Sequence, residues 1–214
     1  TPQWGKVKPF ALKSLDQYAI KSPAAYGTEA YRRQVDEVIA YSANLNDRQK
    51  VIAEYWADGP SSELPPGHWN LFAQQVSRRD AHRLDRDVKM FFALNNALLD
   101  ASIWTWGQKV RFDYVRPVSA IHYVYFNKPV TAWALGSGTT TFMGQFWRPY
   151  QAASVVTPPF AEYVSGHSTF SAAAAEVLRQ FTGSDRFEHA VTIPAGSSRV
   201  EPGQVPARDV TLKW

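Results

Sequence analysis

Apolar positions recur with helical spacing along much of this chain. From about Thr28 to Asn44, the residues Tyr31, Val35, Val38, Ile39 and Ser42 fall on one face, and Arg32, Arg33, Asp36 and Glu37 lie largely off it. A repeat of three and four residues is what a helix needs to bury one side. Asn46 followed by Gln49 marks a helix start, which predicts a second helix over 47–57. A third is predicted near 67–78, after a loop bracketed by Asp58-Gly59-Pro60 and Pro65-Pro66-Gly67. The longest periodic stretch is 84–111, with an apolar stripe of Val88, Phe91, Phe92, Leu98, Leu99, Ile103 and Trp106 that also carries Asn95 and Ser102. Pro117 is expected to end or kink it. A last helix is predicted from about His167 to Phe181, where the run Ala172–Ala175 lets a neighbouring helix come close.

Other segments lack this periodicity. Residues 1–27 contain Pro2, Pro9, Pro23 and Gly27 and read as an extended arm. Residues 127–160 read as loop, and 182–214 as a loop-rich tail with room for a short strand. The pattern predicts a mainly α fold, a helical bundle with long connections. It forms a single helical domain over 1–214, with the arm at 1–27, the core at 28–181 and the tail at 182–214.

Composition narrows the chemistry. With 45% hydrophobic and 20% charged residues, the 214-residue chain is globular rather than disordered or coiled-coil. It has no Cys, which excludes disulfides, thiolate metal sites and a cysteine nucleophile. The net charge of +4 is mild, and the densest basic stretch, Arg78-Arg79-Asp80-Ala81-His82-Arg83, is interrupted by an acid. It reads as a solvated helix face and not a nucleic-acid patch. No apolar run approaches the roughly 20 residues of a membrane span.

Three places stand out for chemistry. Lys109 and Arg116 are seven residues apart, so on one helix they would project from the same face two turns apart. Such a pair suits a tetrahedral oxyanion, although unrelated surface charges share this spacing. Ser165-Gly166-His167 opens the Ala-rich helix, where free amides bind anions and Gly166 admits one to the main chain. Ser165 adds a hydroxyl, and His167 a general acid/base or nucleophile; a helix cap beside an ordinary histidine is the plainer alternative. Phe160, seven residues before His167, reads on its own as core packing.

Lys109, six intervening residues, Arg116-Pro117 and the later Ser165-Gly166-His167 resemble the first two signatures of the vanadium-dependent haloperoxidase and type 2 phosphatidic acid phosphatase superfamily. Lys8-Pro9-Phe10-Ala11-Leu12, Tyr55-Trp56-Ala57-Asp58-Gly59-Pro60, Pro65-Pro66-Gly67-His68-Trp69-Asn70 and Thr157-Pro158-Pro159-Phe160 resemble the bacterial haloperoxidase-related members, over nearly the whole chain. The resemblance implies the helical bundle of that superfamily, with vanadate as cofactor or phosphate as alternative occupant. It implies that Lys109, Arg116, Ser165 and the Gly166 amide hold the anion's oxygens and that His167 is the catalytic acid/base. Trp106 would line the halide side. Phe160 stands where chloroperoxidases of the family have an aromatic and bromoperoxidases tend to have histidine, which leans against a strict bromoperoxidase. The implied reaction is oxidation of halide by hydrogen peroxide to hypohalous acid, and the alternative is hydrolysis of a phosphate ester. A non-catalytic structural relative is the third reading.

The family's third signature is Ser-Arg, five residues, then the histidine that binds vanadium. Here Ser198-Arg199 is followed at that spacing by Val205, and no histidine occurs after His189. Val164 also stands where many members have Pro. The expectation is a chain that stops before the third signature, with the ligand histidine beyond Trp214 and little turnover from residues 1–214 alone. Its partner would be the rest of the same protein or a further copy, in a periplasmic or secreted setting.

Overall fold

The computed structural model describes residues 2–59 and 62–214. Thr1 of the expected arm and Pro60 of the expected loop lie outside them. Helix α1 (Glu29–Ala43) starts at Thr28, whose side chain accepts from the Tyr31 amide. Helix α2 (Asp47–Tyr55) starts with a reciprocal cap between Asn46 and Gln49. Helix α3 (Leu64–Arg79) begins three residues earlier than expected, because Pro65 and Pro66 sit in its first turn, where an amide has no helical partner to lose. Pro117 behaves the same way: it opens α5 (Pro117–Val124) after the long α4 (Leu84–Phe112) has ended. Helix α6 (Gly166–Thr182) stops at Gly183, whose φ of 75° needs no Cβ penalty.

The segment 127–160 is not all loop. Strands β1 (Pro129–Ala134) and β2 (Gly138–Met143) form an antiparallel hairpin with Val130 opposite Phe142 and Ala132 opposite Thr140. Val130 and Ala132 point one way into the core, and β-branched Thr139, Thr140 and Thr141 suit the partner strand. The tail likewise holds two strands, β3 (Ala190–Ile193) and β4 (Val210–Lys213), paired antiparallel. The chain remains mainly α-helical. No helix among the described residues is long and apolar enough to cross a membrane.

Two cores form. Helices α3, α4 and α6 enclose Phe72, Val76, Met90, Leu94, Leu98, Ala174 and Leu178. Helices α1 and α5 and strand β1 enclose Tyr31, Val35, Ile39, Ile121, Val130, Ala132 and Trp147. On α4 the expected stripe is buried at Leu98 and Ile103 but not in the first turns, where Val88 and Phe92 are 59% and 58% exposed and Met90 and Leu94 are fully buried instead. The helix is covered by α3 and α6 on one side and by the arm on another, so apolar residues occur nearly all round it and the repeat singles out no one face.

The arm is fastened to α4 by polar bonds. Asp100, buried on α4, accepts the backbone amides of Phe10, Ala11 and Leu12 at 2.6, 2.7 and 2.9 Å. Its partners are main-chain amides, which carry no residue signature. Trp4 donates its indole N–H to Ser102, and the Trp104 and Gln108 side chains both donate to the Leu15 carbonyl. Close approach is required: a Cβ on Gly5 would lie 2.6 Å from the Gly107 Cα. The tail is pinned to α2, where Glu54 accepts from the Ser198 hydroxyl and the Arg199 amide and Lys50 pairs with Glu201 at 2.6 Å.

Asp100→Ala leaves three amides of the arm without their acceptor. It is expected to cost about 2–4 kcal/mol in urea unfolding and to expose the arm to proteolysis. A loss below about 0.5 kcal/mol would show that the arm does not depend on this carboxylate.

Candidate functional site

Lys109 and Arg116 do not share a helix. Helix α4 ends at Phe112, Asp113 turns the chain in a left-handed conformation, and Arg116 is the residue before α5. The reversal nevertheless brings both cations to one stretch of chain. Lys109 Nζ donates to the carbonyls of Ala161 and Glu162 at 2.9 and 2.7 Å, and Arg116 Nη1 donates to the Phe160 carbonyl at 3.2 Å. The Phe160 ring lies against both, 5.2 Å from Lys109 Nζ and 5.0 Å from Arg116 Cζ, and meets Trp106 edge-on at 4.9 Å. Phe160 is therefore an aromatic wall of the site, still partly exposed, and not simple core.

Lys109 is 5% exposed. Burial, and next the positive charge of Arg116, push its ammonium down from 10.5 to about 8, against a smaller opposing pull from the Glu162 carboxylate. Among the described residues, the buried Arg116 Nε and the buried Thr105 Oγ1, on the same helix as Lys109, have no hydrogen-bond partner. Two cations held together, with a buried donor left over, leave this pocket short of negative charge.

The third component is the start of α6. Ser165 caps it: its hydroxyl oxygen accepts from the Ser168 amide at 3.2 Å, and its carbonyl accepts from Thr169. The plain capping role is real, and it leaves the hydroxyl proton free to donate. A Cβ added to Gly166 would find only Thr105 Cγ2, at 4.0 Å, so the helix start abuts α4 one turn before Lys109 and stays open to a ligand. His167 is exposed and makes no hydrogen bond with Lys109 or Arg116 among the described residues. The structure thus gathers Trp106, Lys109 and Arg116 around the Phe160 ring; of the α6 start it places Gly166 near Thr105, one turn before Lys109, and Ser165 and His167 make no hydrogen bond to either cation among the described residues.

Sequence reasoning missed the carbonyls of 160–162 and Thr105, since main-chain acceptors carry no residue signature. The other histidines have local roles. His68 bonds the Asp58 carboxylate at 2.9 Å and stacks on Trp56, His122 bonds the Trp147 carbonyl, and His189 stacks on Trp214. Ser198-Arg199 belongs to the tail's attachment to α2.

The lowered Lys109 value has a pH consequence. Between about 8 and 10.5 the unfolded chain still holds a proton that the folded chain has released. This group therefore makes the fold more stable as pH rises through that window, and its burial cost is fully present below it. The side-chain ¹⁵N signal of Lys109 is expected to titrate near pH 8. In Arg116→Gln the midpoint should move up, because the repelling guanidinium is gone; an unmoved midpoint would show that the two cations do not interact.

The chain matches the family model of the VCPO second helical-bundle domain over residues 89–214. It superposes on an apo-type bacterial vanadium-dependent chloroperoxidase with a TM-score of 0.85 at 29% identity, covering 99% of this chain and 46% of that one. The holo-type bacterial chloroperoxidase gives 0.83 at 31% identity, covering 99% and 44%. A bacterial vanadium-dependent iodoperoxidase shares the fold, with a TM-score of 0.71 at 24% identity and coverage of 99% and 47%. Vanadium chloroperoxidase of Curvularia inaequalis is 24% identical over 144 residues, which is 59% of this chain and 22% of that protein. The chain spans under half the length of these solved relatives. With the family model covering more than half of its residues, the chain belongs to the family of the VCPO second helical-bundle domain.

Proposed function

We propose that this chain supplies the oxyanion-holding part of a vanadate-dependent haloperoxidase, which oxidises halide with hydrogen peroxide to hypohalous acid. One observation carries the reading: Lys109 at the end of α4 and Arg116 just before α5 converge on the carbonyls of 160–162, and the Arg116 Nε is buried with no hydrogen-bond partner among the described residues. An oxyanion fits these residues. Lys109 and Arg116 would neutralise its oxygens, and the Ser165 hydroxyl and Gly166 amide would bind others, in a setting where each charge counts for more than in water. A phosphate-sized anion would fit the same donors.

What vanadate supplies when bound is a centre that activates hydrogen peroxide toward attack by halide. The reaction X⁻ + H₂O₂ + H⁺ → HOX + H₂O consumes a proton, and the exposed His167 would be the group that moves it. Trp106 and Phe160 would keep water from the halide side. Ser198-Arg199 is followed at the third signature's spacing by Val205, and we assign the histidine that bonds vanadium to a part of the parent protein outside these residues, and residues 1–214 to one helical domain of it. The short coverage of the solved relatives supports this assignment.

Residues 1–214 alone should give little vanadate-dependent halogenation of a phenol reporter with peroxide and halide; strong turnover would contradict the outside histidine. In the longer parent protein, Lys109→Ala and His167→Ala should each lower the rate by about a hundredfold or more. Unchanged rates would remove the site. Phosphate-ester hydrolysis blocked by vanadate, without halogenation, would move the assignment to a phosphatase.

A further inference from the structure

The carbonyls that aim Lys109 and Arg116 belong to a loop, and a loop can hold two cations in place only if something holds the loop. Three bonds do so. The Tyr163 hydroxyl donates to the Lys21 carbonyl of the arm at 2.8 Å. The Tyr114 hydroxyl donates to the Ala24 carbonyl at 2.6 Å, and the Tyr114 carbonyl accepts the Glu162 amide at 3.0 Å. The rings complete the attachment: Tyr163 meets Phe112 edge-on at 5.3 Å and Tyr114 at 6.4 Å.

These contacts fall at a strategic point. Tyr163 follows directly on Glu162, whose carbonyl accepts from Lys109, and stands two residues before Ser165, which caps α6. Fixing Tyr163 fixes the acceptors of both cations and the direction in which α6 begins. Lys109 has three N–H donors, of which two are committed to carbonyls 161 and 162, so the third has a defined direction only while that pair of carbonyls stays still. Arg116 gives Nη1 to carbonyl 160, and its Nε, which has no partner among the described residues, takes its direction from the same loop.

We infer that Tyr163, supported by Tyr114, is a positioning residue of the anion site: it ties the 160–163 loop to the arm, and the loop carbonyls in turn orient Lys109 and Arg116. The inference rests on the oxyanion reading above. It assigns a functional consequence to the arm, which reaches the site through Lys21 and Ala24 without touching either cation.

The test uses residues 1–214 with inorganic phosphate and orthovanadate as probes. Tyr163→Phe removes one hydroxyl and keeps the ring. It should weaken binding of both anions about three- to tenfold, the range set by loss of one hydrogen bond that orients a charged group. It should also shift and broaden the ¹⁵N signal of the Lys109 ammonium. Tyr150→Phe is the control, since Tyr150 lies in the tail's polar network beside Glu54 and Glu201. It should lower the melting temperature but leave anion affinity and the Lys109 signal unchanged. If Tyr163→Phe lowers the melting temperature while affinity and the Lys109 signal stay at wild-type values, Tyr163 is structural only and the inference is overturned, with the oxyanion reading intact. If the wild-type chain binds neither anion at millimolar concentration, the oxyanion reading fails, and this inference with it.

Discussion

The burial of one ammonium beside a guanidinium governs the organisation of this half of the molecule. Lys109 is almost out of water, and Arg116 repels it from the next helix. Left alone, that pair would open toward solvent or lose a proton. Three successive carbonyls of 160–162 hold it instead, with the π-face of Phe160 against both charges. Main-chain carbonyls carry only partial charge, so they hold the cations without neutralising them. On the proposed reading an anion would complete their neutralisation, with the amino terminus of α6 supplying further donors.

The rest of the fold serves that arrangement. Helix α4 delivers Lys109 from the end of 29 residues whose middle is locked into the α3–α4–α6 core by Met90, Leu94 and Leu98. Arg116 opens α5, which is locked into the second core by Ala120 and Ile121. The turn between them therefore joins two separately packed bodies, and the angle between the cations is set by how those bodies meet. The arm spans the same junction from outside. It is bonded to Asp100 and Ser102 on α4, then to Tyr114 in the turn and Tyr163 in the loop.

Much of this was legible in the sequence, for identifiable reasons. Helix α1 stood out by its apolar face, α2 by the Asn46–Gln49 cap at its start, and α6 by its alanine run after Ser165-Gly166-His167. The residues of the site were legible as a motif, but the geometry joining them was not. Seven-residue spacing suggested a shared helix for Lys109 and Arg116, and the structure reaches convergence through a helix end, a reversal at Asp113 and a new helix. The β1–β2 hairpin was hidden because Gly136 and Gly138, which close its turn, also read as loop. Asp100 could not be placed because its partners are amides of Phe10, Ala11 and Leu12, whose side chains say nothing of the bond. Val88 and Phe92 looked like core from spacing alone and stand largely exposed, since a helix covered on two sides has no single apolar stripe to read.

The proposed binding of an oxyanion at Lys109 and Arg116 is directly measurable. Orthovanadate added to residues 1–214 near neutral pH should give a shifted, broadened ⁵¹V resonance. That resonance should disappear in Lys109→Met and persist in Lys50→Met, whose lysine is buried in the ion pair with Glu201. No bound resonance, or the same resonance in both variants, would contradict an oxyanion site built on Lys109.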